Sequence, residues 1–140
     1  MALFLSQKFN PRSLASRGEE LARLHYRWHG WQIVAQNLAN ARGKRLGEID
    51  FIALQGKVVR FVEVKTRRSA VDRFGGARFA VPAAKQKKLL KLIKWFLARH
   101  PSYQSFRPQI DVCLVEQVSL DKNRFHVTII PHAVGDDFSR

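Results

Sequence analysis

A chain of 140 residues fits one domain, and its 46% hydrophobic content supports a packed core, which excludes general disorder. Twenty-five Lys and Arg against 11 Asp and Glu leave a formal net charge of +14. That balance calls for a polyanionic partner, nucleic acid ahead of an anionic membrane surface. No apolar run approaches the roughly 18 residues of a spanning helix, residues 1–5 are too short for a signal-peptide core, and the single Cys113 excludes an internal disulfide. The expectation is a cytoplasmic protein with no membrane contact.

Residues 1–13 lack a period and contain Asn10-Pro11, so they read as a loose basic arm before one domain over 14–132 and a tail over 133–140. Ser13 or Ser16 can cap a helix reaching about Trp28, with Leu14, Leu21, Leu24 and Trp28 as its buried face; Gly30 stops it. A strand over 31–39 precedes a basic turn carrying Arg42, Lys44 and Arg45. Residues 48–54 and 58–65 are β-rich and nearly adjacent, which predicts an antiparallel hairpin. Residues 66–81 read as a long basic loop with Arg67, Arg68, Arg73 and Arg78.

Pro82 suits a helix start, and the spacing predicts a helix to about Arg99. Leu89, Ile93, Phe96 and Leu97 would face the core, while Lys87, Lys91 and Lys94 line another side. With Lys85 and Lys88 these lysines form a phosphate-tracking surface; a merely solvated face is the competing reading. Trp28, Trp31, Trp95 and Phe96 are assigned to the core in preference to base stacking. Strands over 110–118 and 125–130 complete the order α-β-β-β-α-β-β. This is an α/β chain with a mixed central sheet, antiparallel at the hairpin and parallel across the second helix.

Acids inside apolar strands need a reason, because burying a charge is costly. Asp50 stands between Ile49 and Phe51; Glu63 and Lys65 bracket Val64 at the end of a strongly apolar run. Alternation puts Glu63 and Lys65 on one face. Asp50 joins them if the hairpin pairs residues whose numbers sum to an odd value. Two carboxylates beside an ammonium suit Mg²⁺- or Mn²⁺-assisted phosphodiester hydrolysis, with Asp50, Glu63 and the Val64 carbonyl as oxygen ligands and Lys65 acting on the attacking water or the transition state. A surface salt-bridge cluster is the alternative.

Gly18-Glu19, Gly47-Glu48-Ile49-Asp50, Phe61-Val62-Glu63-Val64-Lys65-Thr66-Arg67, Phe74-Gly75, Ala80-Val81 and Lys85 together resemble the YraN-type uncharacterised bacterial family over roughly residues 14–118. That family is similar in fold to archaeal Holliday-junction resolvases and the wider PD-(D/E)XK nucleases. The resemblance implies a restriction-endonuclease-like core with Asp50, Glu63 and Lys65 in the D…E-x-K positions. It also implies Glu19 as an assisting helical acid, with Glu20 as fallback, and a homodimer on paired DNA strands. Two features depart from the pattern: Gly-Glu-Ile precedes the acid in place of Pro, which brings in Glu48 as an extra ligand or a turn residue, and Arg107 lies four positions before Asp111. The functional expectation is a metal-dependent endonuclease acting on DNA in preference to RNA, on branched or repair intermediates. The alternative is a catalytically idle nucleic-acid-binding module.

Overall fold

The computed structural model describes residues 2–4, 14–38, 49–68, 83–118 and 124–131. Six strands form one sheet in the order β1-β6-β5-β4-β3-β2: β1 (Ala2–Phe4), β2 (Gln32–Leu38), β3 (Ile49–Gln55), β4 (Val58–Arg68), β5 (Arg107–Gln117) and β6 (Arg124–Ile130). Helices α1 (Leu14–Trp28) and α2 (Ala83–Arg99) complete the element order expected from the sequence. Among the described residues the additions are a single 3-10 turn over Pro101–Tyr103 and β1, which pairs antiparallel with β6 where the sequence suggests a loose arm.

The hairpin β3–β4 turns through Gly56 and Lys57, with Gln55 opposite Val58. Gly56 has φ +57°, a conformation that costs glycine nothing and other residues strain. β4 and β5 run parallel, joined through α2, and every other neighbouring pair is antiparallel. The mixed sheet is therefore as expected.

Each helix covers one face. Leu89, Leu92, Ile93 and Phe96 of α2 pack on Ile49, Ile52, Val59, Phe61, Ile110 and Val112. Leu21, Ala22 and Tyr26 of α1 pack on Phe51, Ala53, Val62, Cys113, Val115, Phe125 and Val127. Parallel strands buried on both sides must be apolar almost continuously, and β5 is buried over nearly its whole length.

The buried face of α1 differs from the one expected. Leu21 is buried and Leu14 partly so, but Leu24 is 43% and Trp28 77% exposed. The helix instead buries Arg17, Gly18, Leu21, Ala22, His25 and Tyr26. Large apolar residues dominate a periodicity reading, yet small ones let a helix lie close to a sheet. A side chain added at Gly18 would overlap the Thr66 hydroxyl of β4. The aromatic assignments divide likewise: Phe96 is buried, Trp31 and Trp95 are partly buried, and Trp28 is not in the core.

β4 runs to Arg68, so Thr66, Arg67 and Arg68 are strand residues, not loop. Arg42, Lys44, Arg45, Glu48, Arg73, Arg78 and Ser13 lie outside the described residues.

Candidate active site

The β3–β4 register runs Gln55↔Val58 to Phe51↔Val62, each pair summing to 113. The next step of that register puts Asp50 opposite Glu63, the odd-sum condition that sets them on one face. The main-chain ladder ends just before it. There the Asp50 carboxylate (Oδ2) accepts the Val64 N–H at 2.6 Å, a side chain replacing a main-chain acceptor.

Glu63 follows Val59 and Phe61 on the α2 side of the sheet and is 6% exposed. Its Oε1 accepts Lys65 Nζ at 3.2 Å and also Lys85 Nζ, which descends from the first turn of α2. Its Oε2 is buried without a hydrogen-bond partner. From the other layer Glu19 of α1 contributes a hydrogen bond and a negative charge to Asp50. The close approach of Gly18 to Thr66 sets Glu19 at that end of β4. Glu20 is exposed.

Burial is the main force pushing the Asp50 carboxyl up to about 6; the Val64 N–H opposes it, and the charges of Glu19 and Glu63 add to it. For the Lys85 ammonium, burial acts downward, but the hydrogen bond and charge of Glu63, with the charge of Asp50, outweigh it and raise the pKa above the ordinary lysine value.

The fit to a divalent cation turns on oxygen donors. Among the described residues no three His, Cys, Asp or Glu side chains are grouped to hold a metal ion. The donors on offer are the Asp50 and Glu63 carboxylates and the Val64 carbonyl, with water completing the shell. A small hard cation such as Mg²⁺ characteristically takes one or two carboxylates and keeps several waters. The buried Glu63 Oε2 has no hydrogen-bond partner, which leaves one carboxylate oxygen with its lone pairs open to a ligand. The donor set fits.

Arg107 stands apart from this group. It pairs with Val58, at the start of β4, whereas Glu63 and Lys65 pair with Val112 and Leu114 further along. Asp111, another acid inside an apolar strand, lies on the α1 side, fully buried. It accepts hydrogen bonds from Tyr26 Oη (2.9 Å) and Gln109 Nε2 (2.8 Å) and a salt bridge from Arg60 (3.0 Å). Arg60 in turn lies 4.3 Å over the Trp31 ring. This cluster escaped the sequence reading, although an acid in a strand is the same signal that picks out Asp50. Its oxygens are satisfied, and it is structural.

Lys87, Lys88, Lys91 and Lys94 are exposed along α2, while Lys85 is drawn onto Glu63. Arg67 and Arg68 continue β4 beyond Lys65. Nothing in the local sequence signals the Lys85–Glu63 contact, since 22 residues separate the two. No helix among the described residues is long and apolar enough to cross a membrane.

The model of the Uncharacterised protein family UPF0102 matches residues 18–127. The chain belongs to this family. Among its UPF0102 relatives, the protein TTE1452 of Caldanaerobacter subterraneus subsp. tengcongensis is 32% identical over 120 residues, covering 83% of this chain and 93% of that protein. YraN of Escherichia coli O139:H28 is 40% identical over 105 residues, covering 71% of this chain and 76% of its own. STH1475 of Symbiobacterium thermophilum is 43% identical over 88 residues, covering 63% and 70%. The UPF0102 match spans both Glu19 and the β3–β4 hairpin, so every acid of the candidate site falls inside the family region.

Proposed function

We propose that this UPF0102 protein is a Mg²⁺- or Mn²⁺-dependent nuclease acting on DNA, with branched and repair intermediates as its substrates and two copies acting on paired strands. The observation that carries the reading is the partnerless, buried Glu63 Oε2 beside a second carboxylate, Asp50, whose protonation is tuned upward by burial. Asp50, Glu63 and the Val64 carbonyl would hold the cation. When bound, it supplies a Lewis acid for the phosphate and an acidified water.

The protein's own groups account for the rest. The Val64 N–H fixes the Asp50 carboxylate in place. Lys65, half-exposed and on the same face as Glu63, can hydrogen-bond the attacking water or a phosphate oxygen as charge develops. Glu19 adds a further carboxylate that can accept a proton from water. The exposed lysines of α2 offer positive charge for the DNA backbone beyond the scissile bond.

A second reading has one observation in its favour. Glu63 Oε1 already carries two ammonium groups, an arrangement that suits an idle nucleic-acid-binding module. A cleavage panel separates the two. Linear, flapped and four-way DNA, with RNA as competitor, would be incubated with Mg²⁺ or Mn²⁺ and either unmodified protein or Asp50→Ala. Cutting that Asp50→Ala abolishes is the expected result. DNA binding with no cutting of any substrate by either metal would leave the idle module.

A further inference from the structure

A carboxylate as buried as Glu63 must be compensated, and one well-placed cation does that. Glu63 has two, both on the same oxygen, Oε1. They come from different places. Lys65 belongs to the same strand two residues on, with its backbone paired to Leu114 of β5. Lys85 is the third residue of α2, a helix with no acidic residue in its first turn. A positive side chain there faces the positive end of the helix dipole, which is an unfavourable placement unless an anion offsets it. Its side chain is 36% exposed and rides on a flexible four-carbon stem. Lys65 is 46% exposed on an equally flexible stem, but it belongs to the strand of Glu63 itself, whereas Lys85 reaches the carboxylate from a separate element, so its release leaves Glu63 with the counter-cation of its own strand.

We propose that Lys85 is a removable counter-cation: its ammonium holds Glu63 in the metal-free site and competes with the divalent cation for that carboxylate, so that metal loading releases Lys85 toward the basic face of α2, where substrate phosphate approaches. This rests on the metal-dependent reading above. Two ammonium groups and a dication on one carboxylate repel one another strongly at contact distance, so the arrival of the metal favours departure of the mobile ammonium. Lys85 is then a positioning residue in the metal-free protein and a phosphate contact in the loaded one.

The test is Mn²⁺ binding to the full chain, followed by the electron-spin-resonance signal of free Mn²⁺, for unmodified protein, Lys85→Met, Lys85→Gln, Lys88→Met and Glu63→Gln. Both Lys85 variants should bind Mn²⁺ roughly tenfold more tightly, the scale of one partly screened charge contact. Lys88→Met removes an equal charge from the same helix, does not touch Glu63, and should change affinity less than twofold. In EDTA the Lys85 variants should melt lower than unmodified protein, and saturating Mn²⁺ should narrow the gap. Two Lys85 variants and a melting curve for each guard against misfolding. Unchanged or weaker Mn²⁺ binding in both, with Glu63→Gln weakened, would overturn the inference and leave the metal site standing. No Mn²⁺ binding by any of the proteins would overturn both.

Discussion

Asp50 is tied to Val64 through a 2.6 Å hydrogen bond from the main-chain N–H, and Val64 is the neighbour of Glu63. The two acids are thus held by one short stretch of β4, at the point where the β3–β4 ladder ends at Phe51 and Val62. Anything that shifts β4 moves both together, while loss of one carboxylate leaves the other in position.

Glu63→Gln keeps the side chain's size and removes its charge. Metal affinity and cleavage should fall together, by roughly tenfold or more, because fewer anionic oxygens hold the cation. DNA affinity in EDTA should hold or rise. Lys65→Ala should instead slow cleavage without weakening metal affinity. Calorimetric metal binding alongside single-turnover rates distinguishes the two. Equal losses in both quantities for Lys65→Ala would assign it to the metal site.

The Asp50 carboxyl, raised to about 6 by burial and by its acidic neighbours, sets a pH window. Protons compete with the cation below that value, so metal affinity should climb between about pH 4 and 6 and level off above. Its effect on folding has the opposite sense: a carboxyl with a raised folded pKa favours the fold while protonated, and this is lost as pH rises through about 6. Asp50→Asn should therefore be more stable than unmodified protein at about pH 7.5, on the order of 1 kcal/mol after screening at a part-buried site, with the advantage gone near pH 4. Denaturant melts at the two pH values read this directly.

Gly18 touches Thr66 so closely that an added methyl group must displace one of them. Gly18→Ala should cost about 1–3 kcal/mol by overpacking, in spite of alanine's better helix propensity. Adding Thr66→Ala should recover part of that, giving a double-mutant coupling of at least about 0.5 kcal/mol. Strictly additive losses would mean that α1 yields elsewhere.

Asp111 draws on Tyr26, Gln109 and Arg60, and burial and the nearby Asp111 charge hold the Tyr26 hydroxyl well above its ordinary pKa. Tyr26→Phe deletes one hydrogen bond to a fully buried charge and should cost about 1.5–3 kcal/mol. Metal affinity should be unaffected, because this cluster lies on the α1 side of the sheet. A change in Mn²⁺ binding would link the two layers.

Replacing Lys87, Lys91 and Lys94 together with Ala should flatten the slope of log DNA affinity against log salt by up to about 2–3, roughly one unit for each phosphate that is no longer neutralised. An unchanged slope would place the phosphate track off that face of α2.

Much of this architecture is legible in the residues. The element order, the hairpin and the mixed sheet follow from apolar alternation, Gly56 and the position of Pro82, because those signals are local. The α1 face is not, since Gly18, Ala22 and Tyr26 are buried for reasons that lie in β4 and β5: the Thr66 contact and the Asp111 acceptor. Asp50 and Glu63 stand out as charges in apolar strands, but so does Asp111, and only its partners reveal that Asp111 is satisfied. Lys85 belongs to the family pattern, yet by spacing and composition it reads like any member of a lysine-rich helix face. Its contact with Glu63 depends on where α2 is laid across the sheet, and no pattern within 83–99 encodes that.

The two-residue turn at Gly56 and Lys57 bears on the order of folding as well as on geometry. Hairpins of this kind close in microseconds, before distant segments dock. Asp50 and Glu63 would therefore meet while α1 and α2 are still unplaced, with Lys65 as a cation of β4 itself beside Glu63. Mutual repulsion makes that early pair an unfavourable encounter until Lys85 arrives with α2. Because the Lys85 contact forms only after the hairpin, Lys85→Met should leave refolding nearly unchanged and speed unfolding at low salt, and added Mg²⁺ should slow unfolding again, so the ion proposed for the chemistry would also act as a late clasp on the finished site.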